Sequence, residues 1–253
     1  MKFTIIIPSR YGSSRLPGKP LVDLCGKSMI HRVWLQANKS GAENVIIATD
    51  DSRVEAHCHG FGADVCMTDS EHQSGTDRLA EVAKKRCFDD QDIIINVQGD
   101  EPLIPEQNII QLAELLASDD RASMATLSTP IDCFDDANNP NVVKVVNDDN
   151  KNALYFSRSM IPFDRDGKIQ SVNELQQYLQ RHIGIYAYRA GFLKRFASWP
   201  PSVLEKLEQL EQLRVLQRGF TVKIEQAGLI PPAGIDTKED VARVVKFLQD
   251  RDD

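Results

Sequence analysis

The chain has few cysteines, and none sits at a spacing that binds metal or builds a framework. Cys25, Cys58, Cys66, Cys87 and Cys133 form an odd set with no C-x-x-C pair, so neither a disulfide scaffold nor a zinc site is indicated. No stretch of about 18 apolar residues occurs, which removes the usual signal for a membrane-spanning helix. A basic N-terminal segment followed by an apolar core is missing as well, so no secretory leader is expected and the cytoplasm is the expected compartment. Positive net charge is also lacking: 30 Lys and Arg against 37 Asp and Glu leave −7. Such a balance argues against partners that are nucleic-acid polymers or anionic membranes, and makes any local basic cluster a small-ligand signal. Repeats, low-complexity runs and linkers are absent. With 253 residues and 42% hydrophobic content, the expectation is a single α/β domain over 1–253 with a subregion in its second half.

What the sequence does contain begins at once. Phe3-Thr4-Ile5-Ile6-Ile7 reads as a buried strand, and it opens into Pro8-Ser9-Arg10-Tyr11-Gly12-Ser13-Ser14-Arg15-Leu16-Pro17-Gly18-Lys19. Arg10, Arg15 and Lys19, with small hydroxyl residues and free backbone N–H groups at the carboxyl end of a strand, suit a polyphosphate. The loop is not a Walker A motif, because the places of its first glycine and its Ser/Thr hold Ser13 and Pro20. No G-x-G-x-x-G dinucleotide fingerprint follows the strand either.

Periodicity predicts a βαβ start: a helix over 28–38 and a strand over 45–49 ending in Asp50-Asp51. A short helix over 52–59, a strand near 64–66, a helix over 77–86 and a third core strand at 93–97 follow, then a helix from Pro105 to Ser118. Continuous apolar strands of this kind suit a mostly parallel sheet covered on both faces. Beyond residue 125 the pattern shifts to strands at 125–130, 142–146, 153–156 and 181–188, with a polar, mobile excursion expected at 164–175. One helix is expected over 203–217 with Leu207, Leu210, Leu213 and Leu216 as a core or subunit stripe, then a strand at 221–225 and a last helix at 238–249 capped by Thr237.

Two acids stand where a hard cation beside a bound triphosphate would be held. Asp100 follows the third core strand in Gln98-Gly99-Asp100-Glu101-Pro102, and Asp236 precedes the last helix in Gly234-Ile235-Asp236-Thr237. Each also has a plain reading, as a turn residue and as a helix cap. In Arg181-His182-Ile183-Gly184-Ile185-Tyr186 the period of a strand puts His182, Gly184 and Tyr186 on one face, which suits a pocket floor or a packed core histidine. Arg78 can grip a carboxylate bidentately or be a surface arginine; Lys144 and Arg158 are weaker candidates.

Taken together, several segments resemble the cytidylyltransferases that activate 3-deoxy-manno-octulosonate (Kdo) for lipopolysaccharide assembly. They are Ile6 to Tyr11 with Ser14 to Leu21, His72 to Arg78, Asn96 to Pro102, Asn139 to Asn141 with Val143 to Val146, Ala153 to Arg158, Arg181 to Tyr186, Leu210 to Arg214 and Gly234 to Thr237. The resemblance implies a three-layer α/β/α nucleotidyltransferase-type fold with a mostly parallel sheet, a smaller sugar-binding and dimerisation subregion at about 130–217, and a homodimer. It implies that CTP and the sugar acid give CMP-sugar and pyrophosphate with Mg2+. By position, Arg10, Ser13, Arg15 and Lys19 would hold the triphosphate, Ser74 would face the cytosine, and Asp100 and Asp236 would carry the metal, with Lys19, Asp100 and Asp236 catalytic. Arg78, Gln98, His182, Tyr186 and Glu211 would line the sugar pocket. The chain departs from the common wording at Ser9 and at Pro231-Pro232-Ala233, which bears on the sugar, Kdo or its 8-amino-8-deoxy form. Another sugar acid such as a sialic acid, or a nucleotide-binding regulator without activity, are the alternatives.

Overall fold

The computed structural model describes residues 1–12, 15–72 and 74–252. Among these the chain order opens with β1 (Thr4–Pro8), α1 (Met29–Lys39), β2 (Asn44–Thr49), α2 (Ser52–Gly60), β3 (Asp64–Met67), α3 (Gly75–Lys85), β4 (Ile93–Asn96) and α4 (Glu106–Ala117). It continues with β5 (Met124–Pro130), α5 (Phe134–Asn138), β6 (Lys144–Asn147), β7 (Ala153–Ser157), α6 (Val172–Tyr178), β8 (Gln180–Arg189), α7 (Ala190–Ala197), α8 (Val203–Glu208), α9 (Gln212–Gln217), β9 (Val222–Gln226) and α10 (Lys238–Asp252). The chain divides into two compact units: Met1–Ile110 with Arg189–Ala197 and Pro231–Asp253, and Gln111–Tyr188 with Ser198–Ile230.

In the first unit the apolar runs do what their composition dictates. Ile5, Ile6 and Ile7 are fully buried, and each such burial contributes roughly 1.5–3 kcal/mol relative to exposure. β1 pairs in parallel with β2 on one side (Ile6 opposite Ile46) and with β4 on the other (Ile6 opposite Asn96), and β3 extends the β2 edge. The order β3-β2-β1-β4 therefore reverses direction between β1 and β4, the switch point at which open parallel sheets bind ligands beyond their carboxyl ends. Gly99 lies at that point, where a Cβ would stand 2.8 Å from the Pro8 carbonyl oxygen. Only glycine lets the turn after β4 approach the end of β1 so closely. A core of Leu16, Leu24, Met29, Ile235 and Val244 ties the loop after β1 to the start of α10.

In the second unit β5 is central, antiparallel to β8 and parallel to β9, while β6 is antiparallel to both β7 and β8. A separate core gathers Ile131, Ala137, Leu175 and Leu179. One expectation fails here. The helix foreseen over 203–217 is two helices, because Gln209 adopts φ 52 and ends α8. Leu207 is 77% exposed, whereas Leu210 and Leu213 are buried. The excursion at 164–175 carries local structure: Asp164 accepts from the Lys168 and Ile169 backbone N–H groups, and Ser171 with Glu174 forms the capping box that opens α6. All five cysteines are unpaired, and burial pushes the Cys58 thiol up to about 12. Among the described residues no helix is long and apolar enough to cross a membrane.

Candidate active site

Three segments far apart in sequence meet at the carboxyl edge of the first unit's sheet. The loop after β1 returns on itself where the Gly18 N–H donates to the Tyr11 carbonyl at 3.2 Å, and Lys19 then enters a single 3-10 turn with Pro20 inside it. The Lys19 ammonium donates to Asp100 Oδ2 at 2.6 Å and to Asp236 Oδ1 at 2.9 Å. Arg15 Nη2 stands 3.1 Å from the same Asp236 oxygen. Backbone contacts fix the two acids: the Ile235 N–H donates to the Asp100 carbonyl at 2.9 Å, and Asp240 Oδ2 accepts from the Asp236 and Thr237 N–H groups at the start of α10. Arg243 of α10 also donates to the Ala233 and Gly234 carbonyls, anchoring the segment that departs from the family wording.

These groups line a cleft of about 500 Å3 together with Arg10, Gly12, Gly75, Arg78, Gln98 and Gly99, a size within the roughly 300–1,000 Å3 typical of small-molecule sites. Lys19 is mostly covered, its side chain 14% exposed, while Asp100 and Asp236 are 34% and 47% exposed and open to a ligand. The neighbouring Glu101 differs: burial first, and the adjacent Asp100 charge second, push its carboxyl up to about 7, and Oε2 is buried with no hydrogen-bond partner among the described residues. No group of three or more His, Cys, Asp or Glu side chains among the described residues is placed to hold a metal.

Other predicted residues take positions that the sequence did not reveal. Ser13 lies outside the described residues. Ser74 caps α3, accepting from the Asp77 N–H at 3.1 Å and donating to Asp77 Oδ2 at 2.9 Å. Arg78 borders the cleft but is fully buried, its guanidinium directed to Asp50 Oδ2 at 2.7 Å and to the Thr68 hydroxyl. It is not a surface arginine, and its guanidinium is engaged by Asp50. Its partners stand after β2 and β3, so Arg78 fastens the sheet edge beside the cleft.

The second unit holds its own polar group. His182, Gly184 and Tyr186 are half-buried while Ile183, Ile185 and Ala187 are buried, the alternation expected of a strand. The His182 ring lies 5.3 Å from Tyr186 and 5.0 Å from Phe156, centroid to centroid. Burial depresses the His182 imidazole to about 3 and raises the Tyr186 phenol well above its usual range, with the charges of Tyr188 and Glu211 adding to the latter. His182 is therefore neutral near pH 7. Thr126 Oγ1 lies 2.8 Å from the Ile185 carbonyl and 2.9 Å from His182 Nε2. The Ile183 carbonyl lies 3.1 Å away as well; with the single hydroxyl proton on a carbonyl, Nε2 donates to Oγ1 and Nδ1 is the ring's acceptor. Lys144 and Arg158, weak candidates from sequence, serve the backbone. Lys144, fully buried, donates to the Asn139 and Val142 carbonyls, and Arg158 donates to the carbonyls of Pro140, Glu208 and Gln209. Arg158 thereby pins the turn between α8 and α9, just before Glu211 at the start of α9.

A parallel sheet with a basic loop and two acids at its switch point defines a nucleotidyltransferase-type protein, and the family model described as cytidylyltransferase matches residues 4–224. The 3-deoxy-manno-octulosonate cytidylyltransferase of Aliivibrio fischeri (strain MJ11) is 58% identical over 248 residues, 98% of this chain and 99% of that protein. The protein of that name from Pseudoalteromonas translucida is 54% identical over 253 residues, 99% of each. A solved CMP:2-keto-3-deoxy-manno-octonic acid synthetase complexed with CTP is 40% identical with a TM-score of 0.90, covering 99% of this chain and 100% of that one. The chain belongs to the 3-deoxy-manno-octulosonate cytidylyltransferase family. Its fold is accordingly the mixed, mostly parallel α/β arrangement of those relatives.

Proposed function

We propose that this protein transfers the cytidylyl group of CTP to the anomeric hydroxyl of a 3-deoxy-manno-octulosonate-type sugar acid, releasing pyrophosphate and yielding the CMP-sugar used in lipopolysaccharide biosynthesis. The observation that carries this reading is the Lys19 ammonium bridging Asp100 and Asp236 in a cleft that Arg10 and Arg15 also line. Family membership and the CTP complex of the 40% identical relative support it.

Transfer of this kind is governed by positioning and by neutralising charge on phosphoryl oxygens. Arg10, Arg15 and Lys19 supply that charge to the triphosphate, Ser13 belongs to the same loop, and Ser74 at the start of α3 is assigned to the cytosine end. As pyrophosphate departs, negative charge grows on the leaving group, and the loop cations stabilise it there. Two oxygen-donor acids, partly open to solvent around one positive charge, fit a hard cation held by carboxylates and phosphate oxygens together. Asp100 and Asp236 would hold Mg2+, which when bound would neutralise the phosphoryl oxygens and lower the pKa of the attacking hydroxyl.

For the sugar acid we assign His182, Tyr186 and Glu211, and Gln98 and Arg78 keep the part that the family resemblance gives them. Neutral His182, with Nδ1 as acceptor, can receive a hydrogen bond from a sugar hydroxyl. Arg78 acts by holding the sheet edge as much as by contact, given its ion pair with Asp50. A terminal ammonium on the sugar would favour the Glu211 carboxylate, which is why the 8-amino form stands beside Kdo as substrate. The second unit is also the proposed homodimerisation region, supported by the exposed side chains of Leu154, Phe163, Val203 and Leu207. A cytoplasmic location agrees with five unpaired cysteines.

Pyrophosphate release from CTP tests the reading, with Kdo, its 8-amino analogue and a sialic acid compared side by side. Release that requires the sugar acid and Mg2+ and stops with EDTA is expected. Release with a sialic acid alone would reassign the substrate, and CTP binding without release would make the protein a regulator.

A further inference from the structure

The loop after β1 is gripped from outside the cleft by a contact that the reading above does not use. Arg53, in the first turn of α2, places its Cζ 3.5 Å from the centroid of the Tyr11 ring. Asp51 sets the guanidinium in that pose through a two-pronged ion pair, Nε to Oδ1 at 3.0 Å and Nη2 to Oδ2 at 2.6 Å. Asp51 is itself fixed as the cap of α2, accepting from the Arg53 backbone N–H at 2.9 Å. A planar fork docked edge-on to a carboxylate leaves its flat face for an aromatic ring, which an ammonium could not imitate.

Tyr11 closes the loop. Its carbonyl accepts from the Gly18 N–H, and its hydroxyl oxygen and Cζ lie 3.2 and 3.3 Å from where a Cβ on Gly18 would be. Gly18 has φ +69, a left-handed conformation suited to glycine. Arg10 precedes Tyr11 and Lys19 follows Gly18. One ring, pressed between Arg53 and Gly18, thus fixes both ends of the segment that carries Arg10, Arg15 and Lys19.

We propose that Arg53 is a positioning residue for nucleotide binding: by stacking on Tyr11, whose carbonyl meets the Gly18 N–H, it fixes the two ends of the loop and presents Arg10 and Lys19 to the triphosphate. The inference rests on assigning that loop to CTP. Arg53 is not among the residues lining the cleft, and its side chain is 60% exposed, so its removal disturbs no core.

The test is pyrophosphate-release kinetics with CTP varied at saturating sugar acid, and the converse, for Arg53→Ala, Arg53→Lys, Tyr11→Leu, the Arg53→Ala/Tyr11→Leu double variant and Lys19→Met. The strength of an exposed guanidinium–ring contact predicts that Arg53→Ala raises KM for CTP about two- to fivefold. Its kcat, the KM for the sugar acid and the thermal midpoint stay as in the parent. Arg53→Lys recovers part of the loss. Tyr11→Leu raises KM for CTP at least as much, and the double variant is no worse than Tyr11→Leu alone, as coupled residues require. An unchanged KM in Arg53→Ala, or factors that multiply in the double variant, would overturn the proposal. Should Lys19→Met leave CTP binding untouched, the assignment of the loop itself fails. Loss in Lys19→Met with an unaltered Arg53→Ala removes only the role given to Arg53.

Discussion

The two units build polar sites by opposite means. In the first, formal charges converge: an ammonium and an arginine from the loop after β1 meet carboxylates that follow β4 and precede α10, all at strand or helix ends and partly open to water. In the second, the side chains are neutral and packed, a histidine whose ionisation is suppressed by burial and a tyrosine whose ionisation is suppressed likewise, aligned along one strand. Charge suits a polyphosphate with its metal; aligned neutral donors and acceptors suit the hydroxyls of a sugar. Substitutions at Lys19, Asp100 and Asp236 should therefore act on turnover, and those at His182 and Tyr186 on sugar affinity.

The largest effect expected is that of Lys19→Met, which removes one preorganised cation from the proposed phosphate site. A fall in kcat of roughly 100- to 1,000-fold is predicted from comparable losses of a charge-stabilising donor, read by pyrophosphate release at saturating substrates. His182→Ala, by contrast, should raise KM for the sugar acid and leave KM for CTP unaltered. A pair of glycine substitutions separates the regions by stability. Gly99→Ala forces a methyl group to within 2.8 Å of the Pro8 carbonyl and should cost about 1–3 kcal/mol in thermal or urea unfolding. Gly184→Ala meets nothing within 4 Å; it should leave stability close to the parent while crowding the face between His182 and Tyr186, so that only sugar KM rises.

Acid unfolding sharpens the comparison further. The His182 imidazole falls from the ordinary histidine value to about 3 in the folded chain, so the folded state binds fewer protons than the unfolded one. Its contribution to stability is present above a pH of about 6.5 and is lost as pH falls toward 3, with a slope of up to about 1.4 kcal/mol per pH unit. His182→Gln should flatten that part of the stability profile between pH 6.5 and the onset of acid unfolding. The smallest effect belongs to Ser9, buried with Oγ lacking a partner among the described residues. Ser9→Ala should raise unfolding free energy by about 1 kcal/mol, since it removes an unpaired polar atom.

Much of the first unit was legible because its information is local. Apolar runs named β1, β2 and β4, and the places of Arg10, Arg15, Lys19, Asp100 and Asp236 at element ends marked the residues that meet in one cleft; their roles toward a nucleotide and a metal stay with the proposal. What the sequence concealed was pairing over distance. Arg78 meets Asp50 and Thr68 only once β2 and β3 lie side by side, and Thr126 meets His182 only through the β5–β8 ladder. Some misses had a readable signal: Ser74 and Asp77, and Ser171 and Glu174, stand at the spacing of helix caps and mark the starts of α3 and α6. The break at Gln209 had none, because a left-handed glutamine is held there by Arg158 and by the Arg214 pair with Glu205, contacts set by the tertiary fold.

A crystal structure with CTP and Mg2+ tests the central claim most directly. The account predicts the metal on Asp100 and Asp236, with Lys19 turned from those carboxylates to the phosphates and Arg10 and Arg15 beside them. A triphosphate seated away from the 10–19 loop, or Lys19 still bridging the two acids with nucleotide bound, would contradict it.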